Sequence, residues 1–194
     1  MKRFDVKRLK EGDILAGRNL VSRIGELIRA ILGSTTNHNA LIILHNTRGW
    51  GIGDMTSPEG GVFNTFEHYE RLVDENAYMI RVYRIKDATD YERHFMSLIW
   101  QSKINPLPYS DFHVKRLWLM RFVNSLPWTI HGTWCTRAIG IVCAATFQPS
   151  RNPFRKIFRD GMPLKKNETP RTIENRLVQG LLVDVTDEVF HDDL

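Results

Sequence analysis

The two cysteines of the chain occupy positions that differ in their capacity for nucleophilic chemistry. The apolar stretch 133–147 predicts a helix, with Thr133 as its N-terminal cap. Cys135 then falls in the first turn, where the positive end of the helix lowers a thiol pKa below its ordinary value of about 8.5. Cys143 falls two turns later, in the apolar interior, where a thiol behaves as a small hydrophobic side chain. Cys135 is therefore the candidate nucleophile.

A disulfide between these cysteines is not expected. Their eight-residue separation corresponds to about 12 Å along a helix, which is beyond disulfide reach. Two reduced thiols suit a cytoplasmic protein. The basic residues at 1–15 have no apolar stretch behind them, so no secretory signal is predicted and the expected location is cytoplasmic.

A nucleophilic cysteine requires a general base, and the chain has seven histidines. His38 lies in a polar loop directly before an apolar strand, where the backbone can aim its ring into a cleft. His131, four residues before Cys135, is the alternative base. The remaining histidines are interpreted as surface or capping residues: His45, His68, His94, His113 and His191.

The base in turn requires a partner that orients its ring. Asp54 lies on the strand that folds back toward His38, so its carboxylate could hold the imidazole and stabilise its charged form. Glu59 is the alternative, although it lies in a less rigid Pro-Gly loop.

The elements that must position these residues form an α+β pattern. A hairpin is predicted at residues 40–56 and further strands at 14–15, 77–85 and 181–185. Helices are predicted at residues 20–32, 66–72, 90–102, 112–123 and 133–147, and from Thr169-Pro170 to Gly180. We therefore expect an antiparallel sheet packed against helices, in a single domain over residues 1–194 with a surface loop at 148–168.

In order and spacing the chain resembles the circularly permuted papain-like cysteine hydrolases. These belong to the NlpC-type superfamily, and the resemblance is to its YiiX-like amidase branch, which is related to lecithin:retinol acyltransferase. In these enzymes, as here, the histidine precedes the cysteine. The stretches that carry the resemblance are 12–15 (GDIL), 34–43 (STTNHNALII), 50–62, 108–112 (PYSDF), 134–136 (WCT) and Thr169-Pro170 with its helix.

The resemblance implies a catalytic triad of Cys135 as nucleophile, His38 as base and Asp54 as third member. Tyr109 matches a tyrosine that lines the site near the oxyanion. Two positions depart from the family pattern: Arg137 stands where a glutamate is common, and Asp54 is shorter than the usual glutamate. The resemblance implies no cofactor and no metal.

The implied activity is hydrolysis of an amide bond in a small peptide or acyl-amide substrate. Candidate substrates are peptidoglycan-derived peptides and lysyl or γ-glutamyl linkages. A net charge of +5 favours an anionic substrate, but the basic residues are scattered without interleaved aromatics, so nucleic acid is not an expected partner. No apolar run reaches the roughly 18 residues of a membrane span.

Two alternatives remain open. A lipid acyltransferase or thioesterase of the same fold would keep Cys135 and His38, and it predicts an exposed apolar surface beside the site, for which the helix at 112–123 is a candidate. A catalytically inactive binding protein would leave the thiol without activation. The sequence does not determine the oligomeric state.

Overall fold

The structure of the protein is a computed structural model, which describes residues 1–108, 135–147 and 170–192. The predictions made for Tyr109, for His131, for the helix at 112–123 and for the loop at 148–168 concern residues outside these ranges.

Six strands of the described residues form one antiparallel sheet with the order β5-β4-β3-β2-β6-β7. Two further strands, β1 and β8, pair with each other and join the two ends of the chain. The bounds are β1 Lys2–Phe4, β2 Ile14–Asn19, β3 His38–His45, β4 Gly49–Thr56, β5 Gly60–Asn64, β6 Tyr78–Ile85, β7 Leu182–Asp184 and β8 Phe190–Asp192.

The helices of the described residues pack on both faces of this sheet. They are α1 Arg23–Leu32, α2 Phe66–Asp74, α3 Asp90–Ile99, α4 Cys135–Thr146, α5 Pro170–Val178 and the short α6 Thr186–Val189. A π-helical turn, Trp100–Ile104, continues α3. The chain is thus an α+β protein with an antiparallel sheet packed against helices, as the pattern predicts.

The alternation of side chains along β3 divides the core in two. Leu41 and Ile43 face one cluster, which includes Ala138, Ile139, Val142 and Cys143 of α4. Ala40 and Ile42 face the other cluster, which includes Tyr69 of α2 and Tyr78 of β6. The continuous apolar run of β3 reflects this burial on both faces.

The structure confirms the predicted hairpin, the strand at β6 and the helices at α1, α2, α3, α4 and α5. The sequence does not predict strand β5, because the pair Gly60-Gly61 is typical of a segment that interrupts a strand. The glycine at 61 instead permits close packing, since a Cβ on Gly61 would lie 2.6 Å from the Cα of Asn105.

Asp13 in the GDIL stretch has a structural position. Its side chain is fully buried, and its two oxygens accept hydrogen bonds from Arg84 Nε at 2.9 Å and Arg84 Nη2 at 2.7 Å. The Arg93 guanidinium lies 3.5 Å from the same carboxylate. This paired buried charge joins the start of β2 to β6 and α3.

Candidate active site

His38 and Asp54 meet on the α2 face of the sheet. The last pair of the β3–β4 ladder joins Leu41 to Gly53, so Asp54 lies one residue beyond it, level with Ala40. His38 lies two residues before Ala40 and therefore shares the same face. His38 Nε2 is 2.6 Å from Asp54 Oδ1, which is the distance of a short charge-assisted hydrogen bond.

The Asp54 carboxylate is buried and accepts hydrogen bonds on both oxygens. The backbone N–H of Met55 donates to Oδ1 at 2.6 Å, and the Tyr69 hydroxyl donates to Oδ2. Burial raises the pKa of Asp54, but the charge of His38 and these hydrogen bonds outweigh it and lower the pKa below its ordinary value. Asp54 is therefore ionised at neutral pH.

The environment of His38 favours its charged form. Burial lowers the pKa of His38, while the negative charges of Asp54, Tyr78 and Cys135 raise it, and the net pKa is well above the ordinary 6.5. Burial also raises the pKa of Tyr78, so its phenol is neutral at physiological pH and Asp54 supplies the main effect there. The His38 side chain remains 20% exposed, which leaves the ring accessible.

Cys135 lies in α4 and is half-buried, whereas Cys143 is fully buried in the same helix. The predicted cap, Thr133, lies outside the described residues. Both cysteines are reduced thiols, as predicted. The negative charge of a Cys135 thiolate raises the pKa values of His38 and Tyr78, so Cys135 lies within electrostatic reach of both. Because Asp54 occupies Nε2 of His38, the remaining ring nitrogen, Nδ1, is the one available to a thiol.

A cleft of about 370 Å³ opens beside His38 and Asp54, bounded by α1 and α2. Its wall has a polar part and an apolar part. The polar part includes Asn19, Ser22, Asn37, Thr56 and His68, and the apolar part includes Ile24, Ile28 and Leu72.

The predicted site residues are distributed as follows. Asp54 contacts His38, whereas Glu59 accepts a hydrogen bond from the Thr56 hydroxyl on the exposed end of β4. His45 lies at the far end of β3 from His38, against the Phe63 ring. Tyr109 and His131 lie outside the described residues.

Sequence reasoning missed three aromatic side chains of the site. Tyr69 holds Asp54, Tyr78 lies beside His38, and His68 lines the cleft although it is interpreted as a surface residue from the sequence. Tyr78 reaches this position because Gly17 carries no side chain, and its ring occupies the space that a Cβ would need. The sequence carries no local signal for this contact, since the ladder pairs Gly17 with Ile80 and Tyr78 with Asn19.

No family model and no curated protein sequence matches the chain. The chain is similar in structure to the metalloprotein YiiX from Escherichia coli O157:H7, described as DUF1105, with a TM-score of 0.59 and 14% sequence identity. The match covers 91% of this chain and 96% of that one. This likeness supports the YiiX-like fold that the sequence motifs imply, and it concerns the fold alone.

YiiX is described as a metalloprotein, which raises the question of a metal site here. In the described ranges, no group of three or more His, Cys, Asp and Glu side chains is arranged to hold a metal ion.

Among the helices that the structure describes, none has both the length and the hydrophobicity of a membrane-spanning segment.

Proposed function

We propose that the chain is a cysteine-dependent hydrolase that cleaves an amide bond through a thioester acyl-enzyme. Cys135 is the nucleophile, His38 the general base and Asp54 the residue that orients the base. The observation that supports this most strongly is the 2.6 Å hydrogen bond between His38 Nε2 and Asp54 Oδ1. This bond fixes the tautomer of the imidazole and leaves Nδ1 as the nitrogen available to the Cys135 thiol.

The proposed reaction proceeds by proton transfers to and from His38. His38 Nδ1 accepts the proton of the Cys135 thiol, and the thiolate attacks the substrate carbonyl carbon. The tetrahedral intermediate expels the amine, which takes the proton from the imidazolium, and a thioester remains on Sγ. Water then gives a proton to His38 and attacks the thioester, releasing the carboxylic acid and the thiol. Asp54 stays ionised throughout, because its pKa is lowered.

The negative oxygen of the intermediate requires hydrogen-bond donors. The backbone N–H of Cys135 is the first candidate, since the sequence predicts Cys135 in the first turn of its helix, where amides have no partner within the helix. Tyr109 is proposed as a second donor on the strength of the family resemblance.

The proposed substrates are peptides with lysyl or γ-glutamyl linkages, including peptidoglycan-derived peptides. The polar cleft wall supports this, because Asn19, Ser22 and Thr56 offer donors and acceptors for a peptide backbone. The net charge of +5 favours the acidic groups of such peptides. We place this activity in one cytoplasmic domain comprising residues 1–194.

The test is turnover of muropeptides and acyl-lysine peptides by the wild type, Cys135→Ala and Cys143→Ala. The wild type and Cys143→Ala should release the amine product, and Cys135→Ala should release none. Equal turnover by Cys135→Ala and the wild type, or a lack of turnover by all three, contradicts the amidase proposal.

A lipid acyl ester or thioester is the second candidate substrate, and one observation favours it. On α1, Ile24 and Leu27 are 61% and 42% exposed, and Ile24 also lines the cleft. An apolar helix face beside His38 suits an acyl chain, because burial of each CH₂ contributes about 0.8 kcal/mol.

Acyl esters of increasing chain length distinguish the two candidates. With a lipid substrate, kcat/KM should rise steeply with chain length for the wild type, and Ile24→Gln should flatten that rise. A kcat/KM that is independent of chain length, together with turnover of peptides, excludes the lipid candidate.

A further inference from the structure

The loop that precedes His38 is attached to helix α5 through one carboxylate oxygen. Glu174 of α5 directs Oε1 at three consecutive residues, Ser34, Thr35 and Thr36. Five donor groups converge on this oxygen: Ser34 Oγ at 2.9 Å, Thr35 N at 2.8 Å, Thr35 Oγ1 at 2.7 Å, Thr36 N at 3.0 Å and Thr36 Oγ1 at 3.1 Å.

The residue between this cluster and His38 is held as well. The Asn37 side chain accepts from the backbone N–H of Asn19 at 3.0 Å and donates to the carbonyl of Asn19 at 3.3 Å. The backbone N–H of Asn37 donates to the carbonyl of Gly17 at 2.9 Å. The four residues before His38 are thus fixed by side-chain and backbone bonds, to α5 on one side and to β2 on the other.

These contacts require an acceptor oxygen at position 174. An ionised carboxylate is an acceptor only, and its oxygens can each accept more than one hydrogen bond. Ser34 and Thr36 are buried, so their donors depend on protein partners for the bonds that water makes at exposed sites. Removal of Glu174 takes the shared acceptor from both backbone N–H groups and all three hydroxyls together.

We infer that Glu174 is a positioning residue for His38, acting through the loop of residues 34–37. It fixes where β3 begins and hence where the imidazole stands relative to Asp54 and Cys135. This inference rests on the proposed function for its catalytic consequence, but the placement of the ring can be measured independently of activity.

The test compares Glu174→Ala and Glu174→Gln with Glu92→Ala. Glu92 is the matched control, because its Oε2 accepts from the N–H and hydroxyl of Thr89 at 2.8 and 2.9 Å, in a cap of α3 away from His38. The readouts are the imidazole titration of His38 by NMR and kcat and KM for the substrate turned over by the wild type.

Glu174→Ala should move the pKa of His38 down toward 6.5, because the ring is no longer held against Asp54. It should lower kcat by about tenfold to a hundredfold with a smaller change in KM, since small misplacements of catalytic groups have effects of that size. Glu174→Gln keeps a carbonyl acceptor and should restore kcat to within about threefold of the wild type. Glu92→Ala should change neither readout. The ionisable groups that face His38 or share its cleft stay the same in all these variants: Asp54, Tyr69, Tyr78, His68 and Cys135.

A His38 titration unchanged in folded Glu174→Ala, or shifted equally in Glu92→Ala, overturns the positioning role. If Glu174→Ala does not fold, an unshifted His38 titration in Thr36→Val, which removes one hydroxyl donor to Glu174, overturns it. A His38 pKa that shifts in Glu174→Ala and not in Glu92→Ala, in a protein that turns over no amide, supports the positioning role while contradicting the proposed hydrolase.

Discussion

The Tyr69 hydroxyl donates a hydrogen bond to Asp54 Oδ2, while His38 occupies Oδ1 of the same carboxylate. Helix α2 thus contributes to the site through the aspartate rather than through a contact with the histidine. The hydrogen-bonded series His38–Asp54–Tyr69 ends at Tyr69, which is buried and 3% exposed. Such a network restricts the rotation of the carboxylate and, through it, the rotation of the imidazole.

Tyr69→Phe should keep the fold and weaken the orientation of Asp54. The substitution removes a single donor and leaves Oδ2 without that bond, which costs about 1 to 3 kcal/mol of unfolding free energy. We expect kcat/KM to fall by about tenfold, because the hydrogen bond from Tyr69 is one of the interactions that keep the pKa of Asp54 low. Denaturant unfolding and steady-state kinetics measure the two effects. A loss of stability with unchanged kcat/KM would show that Tyr69 has no part in orienting the site.

Asp54→Asn should abolish most of the activity while leaving the cleft intact. The amide cannot supply the negative charge that raises the pKa of His38, so the imidazolium that forms when His38 accepts the thiol proton is less stable. We expect kcat to fall on the order of 10³-fold. Glu59→Gln is the control, because Glu59 is the other carboxylate near β4 and does not contact His38. Equal losses in both variants would contradict the assignment of Asp54.

The pH dependence of stability follows from the same pair. The folded pKa of His38 is raised, so its contribution is complete below the unfolded value of 6.5 and is lost as pH rises through the folded pKa. The folded pKa of Asp54 is lowered, so its contribution is complete above the unfolded value of 3.8 and is lost as pH falls through the folded pKa. The difference in unfolding free energy between wild type and Asp54→Asn should therefore be largest between these values. Chemical denaturation from pH 3 to 9 measures it, and a difference that grows above pH 8 would contradict the pairing.

Asp13→Asn should affect stability without affecting chemistry. Asp13 is fully buried beside Arg84, and removing one partner of a buried pair costs about 3 to 5 kcal/mol. Because Asp13 does not contact His38 or the cleft, kcat/KM per folded molecule should stay within about twofold of the wild type. Urea unfolding gives the free energy of unfolding. Steady-state kinetics, normalised by active-site titration, give kcat/KM per folded molecule. A large fall in kcat/KM of the folded variant would assign Asp13 a role in the site.

Local pattern was sufficient for much of the fold. The β3–β4 hairpin follows from an apolar run, a turn with Gly49 at φ +76° and a second extended run. Helix α1 ends at Gly33, which adopts the left-handed conformation expected of a C-terminal cap. In both cases the residues that decide the structure are neighbours in sequence.

The features that were missed depend on contacts distant in sequence. Strand β5 is not predicted, because the sequence does not reveal that Gly61 lies against Asn105. The β1–β8 pair joins three-residue strands from opposite ends of the chain, such as Lys2 with Asp192, and neither strand is long enough to show a pattern.

The site was predictable in part for the same reason. His38 and Asp54 lie on adjacent strands of one hairpin, so their proximity follows from local register. Tyr69 and Glu174 reach the site through packing of α2 and α5, which no local pattern specifies. The exposure of Ile24 and Leu27 on α1 was likewise not evident, since their helical spacing is the same as that of a buried face.

Iodoacetamide labelling from pH 5 to 9, with the modified residue mapped by mass spectrometry, measures whether Cys135 is an activated thiol paired with His38. We expect rapid labelling of Cys135 below pH 7, a midpoint that moves toward about 8.5 in Asp54→Asn, and protection of the buried Cys143. Slow labelling of wild-type Cys135 with a midpoint near 8.5, unchanged in Asp54→Asn, would show that His38 does not activate the thiol and would favour an inactive binding protein.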